Sequence, residues 1–207
     1  MSSSFHADIL NVVAVIYKEK EFPGAQKHMM KILAISGSLR GSSSNTAICQ
    51  AMVRLAPDNI KISLYEKLGE LPHFNPELDS DNLPASVKDW RTQLKESNGV
   101  LICTPEYAHG VPGVLKNALD WIVSSGEFVD KPTAVISASP SPDGGEKAHA
   151  SLVQTLTVMA AKIVEGATLL IPAISAKLNH QGEVTDEATA QALRLLLNTL
   201  AKAIKKH

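Results

Sequence analysis

The sequence predicts a doubly wound α/β domain with a five-stranded parallel sheet in the order 2-1-3-4-5 and helices on both faces. Three observations predict it: five short apolar runs, helical patterns between them, and a length of 207 residues, which fits one domain with a short appendage. Right-handed crossovers between parallel strands place helices on both faces of the sheet. Five strands suit this order better than a six-stranded dinucleotide fold, and they direct attention to the carboxyl ends of strands 1, 3 and 4.

The five predicted strands are short runs bounded by turn residues or polar residues. Four of them are continuously apolar, as expected of strands that are buried on both faces, and the second alternates apolar and polar side chains. In chain order they cover residues 31–36, 60–64, 100–103, 133–137 and 167–171.

The predicted helices carry apolar side chains at helical spacing and have recognisable ends. Pro57 stops the first helix, Pro112 suits the first turn of the third, and Thr185 is the expected N-cap of the last. A proline-rich crossing at residues 71–84 precedes the second helix. The helices cover residues 45–56, a stretch ending near 97, 112–123, 146–161 and a C-terminal stretch rich in lysine at its end.

Composition excludes several classes of function. The chain has 20 basic and 21 acidic residues, so it has no overall charge that would attract nucleic acid or an anionic membrane. Aromatic residues make up only 4%, which argues against a platform for stacking bases. The two cysteines form neither a disulfide framework nor a zinc-binding spacing. We therefore expect a cytoplasmic protein that acts on small molecules, without nucleic-acid or membrane partners.

Residues 1–30 are interpreted as an N-terminal extension, and residues 31–207 as the domain proper. The apolar stretch at 9–17 is far shorter than the roughly 20 residues that span a bilayer. No lysine or arginine precedes it, although a signal peptide would have one there. Two alternatives remain for the extension: a poorly ordered leader, or a segment that packs on the domain or on a second subunit.

The loop after strand 1, residues 37–44, has the composition of a phosphate-binding loop. It contains four serines, two glycines and one arginine, and a helix begins directly after it. Glycine lets backbone N–H groups turn toward an anion, and the helix adds its own free N–H groups. No lysine follows the second glycine, so this is not a Walker A loop. The alternative is an ordinary capped loop in which Arg40 faces solvent.

Two further loops belong to the same sheet edge. Residues 104–113 contain two prolines and two glycines, which makes a rigid loop suited to a planar ligand. Tyr107 offers this ligand a ring face or a hydroxyl. The competing interpretations are that Tyr107 only covers the core, that Glu106 only pairs with a cation, and that His109 is a solvated loop residue. Residues 137–145 form a third loop of small residues.

Two motifs in these loops resemble the NADPH-dependent FMN reductase family, which has a flavodoxin-like fold. They are Gly37-Ser38-Leu39-Arg40 with Ser43 and Asn45, and Pro105-Glu106-Tyr107 followed by Pro112-Gly113 and Leu115-Lys116-Asn117-Ala118-Leu119-Asp120-Trp121. The resemblance covers residues 31–207 and is closest to the branch that reduces quinones, chromate and azo compounds. The chain departs from the family pattern at Ala108, where Asn is frequent, and at Gly110, where Ser is common.

The resemblance implies where FMN binds. The phosphate would lie on Ser38, Leu39, Arg40, Ser43, Ser44 and Asn45. The isoalloxazine would lie against Pro105, Glu106, Tyr107 and Ala108. Its other side would face Ser137, Ala138 and Ser139. The role of His109 is left open.

The resemblance also implies the chemistry. Hydride would pass from NADPH or NADH to FMN, and electrons would then pass to a quinone, free flavin, azo compound or metal oxyanion in a ping-pong cycle. No side chain is expected to act as an obligatory acid, base or nucleophile, and the family implies a homodimer or homotetramer. The alternative is a non-enzymatic electron carrier of the flavodoxin type, but such carriers are expected to be strongly acidic. A hydrolase would need a G-x-S-x-G elbow, which the chain lacks.

Overall fold

The structure is a computed structural model that describes residues 29–80 and 82–207. These residues contain the strands β1 (Met30–Ser36), β2 (Ile60–Tyr65), β3 (Gly99–Thr104), β4 (Pro132–Ala138) and β5 (Lys162–Ile171). They also contain the helices α1 (Ser44–Leu55), α2 (Ala85–Glu96), α3 (Gly113–Asp120), α4 (Glu146–Val158) and α5 (Glu187–Lys205). Of the predicted N-terminal extension, residues 1–28 lie outside the described residues.

The five strands form one parallel sheet in the order β2-β1-β3-β4-β5, which confirms the predicted topology. β1 pairs with β2 up to Ile35 opposite Tyr65, and with β3 up to Ser36 opposite Cys103. The winding therefore reverses between β1 and β3. Their carboxyl ends lie side by side at this point, where sheets of this kind bind their ligands.

Helices cover both faces of the sheet, so the central strands have no solvent-facing side. Helices α1 and α5 pack on one face around Ile32 and Leu197. Helices α2, α3 and α4 cover the other face around Ile102 and Trp90. Every residue of β3 and β4 is buried, as expected of central strands. Among residues 29–80 and 82–207, no helix combines the length and apolar character needed to cross a membrane.

Two helices end earlier than predicted. Helix α3 stops at Asp120 instead of residue 123, because the amides that follow bond to carbonyls three residues back, as Ile122 does to Leu119. Helix α4 stops at Val158 instead of residue 161. There Ala160 adopts a left-handed conformation with φ +57°, which ends the helix. Apolar spacing continues past both ends, so hydrophobic periodicity alone overestimates the helix length.

The last two elements also differ from their predicted starts. The N-cap of α5 is Asp186 and not Thr185, because the Asp186 carboxylate accepts the Thr189 amide proton at 2.8 Å. Hydrogen bonds from Thr189 hold the pKa of Asp186 below its usual value. Strand β5 begins at Lys162, five residues before the predicted strand. The register of its pairing with β4 shifts near Gly166, whose φ is +76°.

The proline-rich crossing after β2 is tied to helix α3. The Asn117 side chain accepts the Phe74 amide proton at 2.8 Å and donates to the Pro72 carbonyl at 3.0 Å. The indole N–H of Trp121 donates to the same carbonyl at 2.7 Å. The second sequence motif therefore holds the crossing against α3, close to the ligand-binding edge.

Candidate functional site

A pocket of about 80 Å³ lies where the loops after β1, β3 and β4 meet. Its walls come from all three loops, so the predicted convergence at the sheet edge is present in the structure. The predicted site residues that line it are Ser38, Arg40, Ser43, Ser44, Asn45, Pro105, Glu106, Tyr107, Ala138 and Ser139. Pro140 and Ile174 complete the wall.

Three predicted site residues do not line this pocket. Leu39 is 61% exposed and faces Gly69 near the end of β2, in a separate cavity of about 220 Å³. Ser137 is fully buried, and its hydroxyl donates to the Gly145 carbonyl at 3.0 Å. Ala108 lies at the exposed tip of the loop after β3. Ser137 thus supports the loop after β4 from below.

The loop after β1 and the first turn of α1 carry unpaired backbone donors; residues 43–45 line the pocket, and Gly41 and Ser42 line a neighbouring groove. Ser43 caps α1, and its hydroxyl accepts the Thr46 amide proton at 3.4 Å. Within the part of the chain that the structure describes, the backbone N–H groups of residues 41–45 have no protein acceptor. They lie at the positive end of the α1 dipole, and Arg40 adds a full positive charge. This arrangement suits a phosphate group.

Asn45 is 3% exposed, and its side chain is used within the protein. Its amide nitrogen donates to the Ala138 carbonyl at 3.1 Å, and its amide oxygen accepts from the Cys103 thiol at 3.1 Å. These bonds tie the first turn of α1 to the ends of β3 and β4. The Asn45 backbone N–H stays available to a ligand, but the side chain is committed to the scaffold.

The loop after β3 folds back on itself in a tight turn. Tyr107 and Gly110 exchange both backbone hydrogen bonds, at 3.1 Å and 3.0 Å. Between them Ala108 and His109 have φ values of +50° and +59°, the conformation of a type I′ turn. Asparagine and glycine tolerate this conformation better than alanine does. Tyr107, 47% exposed, stands at the base of the turn beside the pocket.

Glu106 connects the loop after β3 to helix α4. One carboxylate oxygen accepts the Ala148 amide proton at 2.9 Å, in the first turn of α4, and the other lies 3.2 Å from His109 Nδ1. The N-cap of α4 is Gly145, which has no side chain to bond these amides. Glu106 therefore caps α4 from a neighbouring loop, and His109 pairs with it on the solvent side.

The loop after β4 is shaped by Gly145. Its φ is +81°, and a Cβ there would lie 2.5 Å from Ser137 Oγ and 3.2 Å from Glu106 Cβ. Asp143 accepts the Gly145 amide proton at 3.1 Å and the Ser141 hydroxyl proton, and these bonds hold the pKa of Asp143 below its usual value. The loops after β3 and β4 are therefore packed together through one glycine.

The two thiols next to the site are buried. Cys49 and Cys103 are both fully inaccessible, and burial raises the pKa of Cys103 well above its usual value. A buried thiol of raised pKa is a poor nucleophile. The burial of both thiols indicates that the two cysteines pack in the core.

The family relationship agrees with this geometry. Residues 30–176 match the family model described as NADPH-dependent FMN reductase. The chain belongs to the NADPH-dependent FMN reductase family. It is an NAD(P)H-dependent flavin oxidoreductase, with FMN as its flavin and NADPH or NADH as the hydride source, so the predicted enzyme class and cofactors are confirmed.

Individual members of the family resemble the chain over most of its length. An NAD(P)H-dependent FMN reductase from Pseudomonas aeruginosa is 31% identical over 179 residues, covering 86% of this chain and 96% of that protein. A quinone reductase from Pseudomonas putida is 30% identical, covering 84% and 94%. The solved structure of FerB, a flavoenzyme NAD(P)H:(acceptor) oxidoreductase from Paracoccus denitrificans, superposes with a TM-score of 0.73 at 31% identity, covering 86% and 98%.

Sequence reasoning missed the part of the site that comes after β5. Ile174 lines the pocket because its amide bonds to the Ser139 carbonyl at 3.1 Å, which brings the segment after β5 against the loop after β4. Pro140 could have been predicted, because it directly follows Ser139 in the same loop. No sequence signal marks Ile174, since it reads as one more apolar residue at a strand end.

Proposed function

We propose that the pocket and the loops around it bind FMN, with residues 31–207 as the reductase domain. The phosphate lies on the backbone N–H groups of residues 41–45 and is neutralised by Arg40. The isoalloxazine lies along Pro105, Glu106 and Tyr107, with Ala138 and Ser139 on its other side. The observation that carries this proposal is the run of unpaired N–H groups at the start of α1 next to an exposed arginine.

Residues of this chain hold and orient the flavin rather than react with it. When bound, FMN supplies the capacity to accept hydride from NAD(P)H and to pass electrons on to an acceptor. The rigid turn at Tyr107–Gly110 and the buried Pro105 fix the wall against which the ring lies. With FMN bound, backbone N–H groups in these loops would stabilise negative charge on the flavin, in the way that an oxyanion hole does.

The second substrate is proposed to be a quinone, free flavin, azo compound or metal oxyanion, taken up in a ping-pong cycle. The similarity to a quinone reductase from Pseudomonas putida supports a quinone as the acceptor among these. The turn at Ala108 and His109 is exposed, and the acceptor is proposed to reach the flavin from this side. We also propose a cytoplasmic location, since both cysteines are free, and assembly as a homodimer or homotetramer.

Arg40→Ala tests the phosphate assignment. A hydrogen bond between charged groups contributes roughly 1.5–3 kcal/mol, so the dissociation constant for FMN should rise about 10-fold to 150-fold. Riboflavin lacks the phosphate, and its affinity should not change. Arg54→Ala, at the far end of the same helix, is the matched control. Equal loss of FMN and riboflavin binding would remove the assignment.

Sustained oxidation of NADPH or NADH distinguishes the proposed reductase cycle from a non-enzymatic electron carrier. Purified protein with bound FMN should oxidise NADPH or NADH continuously when benzoquinone or free FMN is added. A single reduction of the flavin without sustained turnover on either acceptor would contradict the proposed second half of the cycle.

A further inference from the structure

A second and larger cavity begins on the other side of the phosphate-binding loop. This groove, of about 590 Å³, lies between the start of α1 and the hairpin at residues 178–184. It shares Arg40, Ser43 and Ser44 with the flavin pocket, but none of the walls proposed to hold the isoalloxazine. The groove therefore continues from the phosphate site, in the direction away from the ring.

The far wall of the groove is a hairpin that is held by hydrogen bonds. Leu178 pairs with Val184, and the Asn179 side chain accepts the amide protons of Gln181 and Glu183 at 3.0 Å and 2.8 Å. At the tip Gly182 lies beside α1, where a Cβ on it would stand at an ordinary contact distance of 3.4 Å from Ala47 Cβ. The hairpin is therefore held by its own hydrogen bonds, and its tip lies next to α1.

The groove has the size and chemistry to hold an adenosine group. Its volume falls within the roughly 300–1,000 Å³ that is usual for small-molecule sites. Gln50 on α1 and Gln181 on the hairpin offer amide side chains, which match the hydrogen-bonding edge of adenine. His180 adds an aromatic ring at the hairpin tip, and Arg40 lies on the boundary that the groove shares with the flavin pocket.

We propose that this groove binds the adenylate half of FAD, so that the protein accepts FAD as well as FMN at the same ring and phosphate sites. The inference rests on the proposed flavin site, because the groove begins at its phosphate end. An adenylate joined to the flavin phosphate would leave the cradle past Arg40 and Ser44 and enter the groove. Riboflavin, FMN and FAD then form a series that fills one, two and three parts of a continuous site.

The test compares these three flavins on protein freed of bound flavin, using quenching of flavin fluorescence. FAD should bind within about tenfold of FMN, and both should bind far more tightly than riboflavin. Gln50→Trp should fill the groove and raise the dissociation constant of FAD at least about tenfold, with that of FMN within about twofold. Val53→Trp, one turn further along the exposed face of α1 and outside the groove, should leave both unchanged.

Three results would overturn the inference. FAD that binds no more tightly than riboflavin would show that the adenylate does not fit in the groove. Equal weakening of FMN and FAD by Gln50→Trp would show that the groove acts on the flavin phosphate and holds no separate adenylate. A raised KM for NADH in FMN-loaded Gln50→Trp, with FAD affinity unchanged, would assign the groove to the reduced nucleotide. By contrast, failure of FMN to bind the parent protein would contradict the proposed function itself.

Discussion

The Asn45 side chain gives the sharpest test of how the site is built. The sequence motif places Asn45 among the residues that hold the flavin phosphate. In the structure its amide bonds to the Ala138 carbonyl and the Cys103 thiol instead. Replacement by alanine therefore should destabilise the protein even when no flavin is bound. A side chain that only contacts the ligand would leave the flavin-free protein unaffected.

The expected loss follows from the two bonds. Leaving a buried carbonyl without its donor costs roughly 1–3 kcal/mol, and the weaker bond from the thiol adds roughly 0.5–1 kcal/mol. Asn45→Ala should thus lower the free energy of unfolding by about 2–4 kcal/mol. With a urea m-value of about 2 kcal/mol/M, the midpoint of unfolding should fall by about 1–2 M.

The measurement is urea unfolding of flavin-free protein, followed by circular dichroism. Ser42→Ala is the matched control, because Ser42 is exposed in the same loop and its loss should change stability by less than about 0.5 kcal/mol. FMN affinity of the folded variants is measured in parallel. Unchanged stability of Asn45→Ala together with weaker FMN binding would refute the scaffold role and restore the side chain as a phosphate ligand.

Two further perturbations test the packing around the site. Gly145→Ala should lower the free energy of unfolding by roughly 2–5 kcal/mol. A left-handed alanine costs roughly 1–2 kcal/mol, and its methyl group would overlap the Ser137 hydroxyl. Gly41→Ala, whose Cβ would meet no atom within 4 Å, is the control in the same urea titration. Burial lowers the pKa of His149 below 6.5, and its Nε2 has no partner among the described residues. Below pH 6.5 the unfolded chain gains a proton that the folded chain does not, so stability should fall from pH 7 to 5. His149→Gln should flatten that decline and His73→Gln should not; parallel pH profiles for all three proteins would contradict this.

Hydrophobic patterning was enough to locate the strands, because burial on both faces requires continuous apolar runs. All five strands were located this way, including the alternating edge strand. The same signal could not locate the ends of α3 and α4, since apolar residues continue past Asp120 and Val158 to pack on the sheet. These helices end where the backbone hydrogen-bonding pattern changes, and the spacing of apolar residues does not indicate that change. The early start of β5 was missed because Glu165 and Gly166 interrupt the apolar run.

The candidate site was predictable where it is made of backbone. Glycines and serines in the loop after β1 indicate free N–H groups, and those groups are present at residues 41–45. The direction in which each side chain points was not predictable in the same way. Nothing in the motif distinguishes Ser38, which lines the pocket, from Leu39, which faces the other way, or from Ser137, which lies beneath the loop after β4.

Side chains that look functional in the sequence turn out to hold the loops in position. Glu106 caps α4, Asn45 joins α1 to the ends of β3 and β4, and Asn117 anchors the crossing after β2. Each bonds to backbone groups in a different element, so the loops are fixed relative to one another before a ligand arrives. A flavin does its own redox chemistry and needs from the protein a preformed cradle. The motif residues are then expected to affect flavin affinity through the stability of the scaffold, which the flavin-free measurements on Asn45→Ala separate from direct contact.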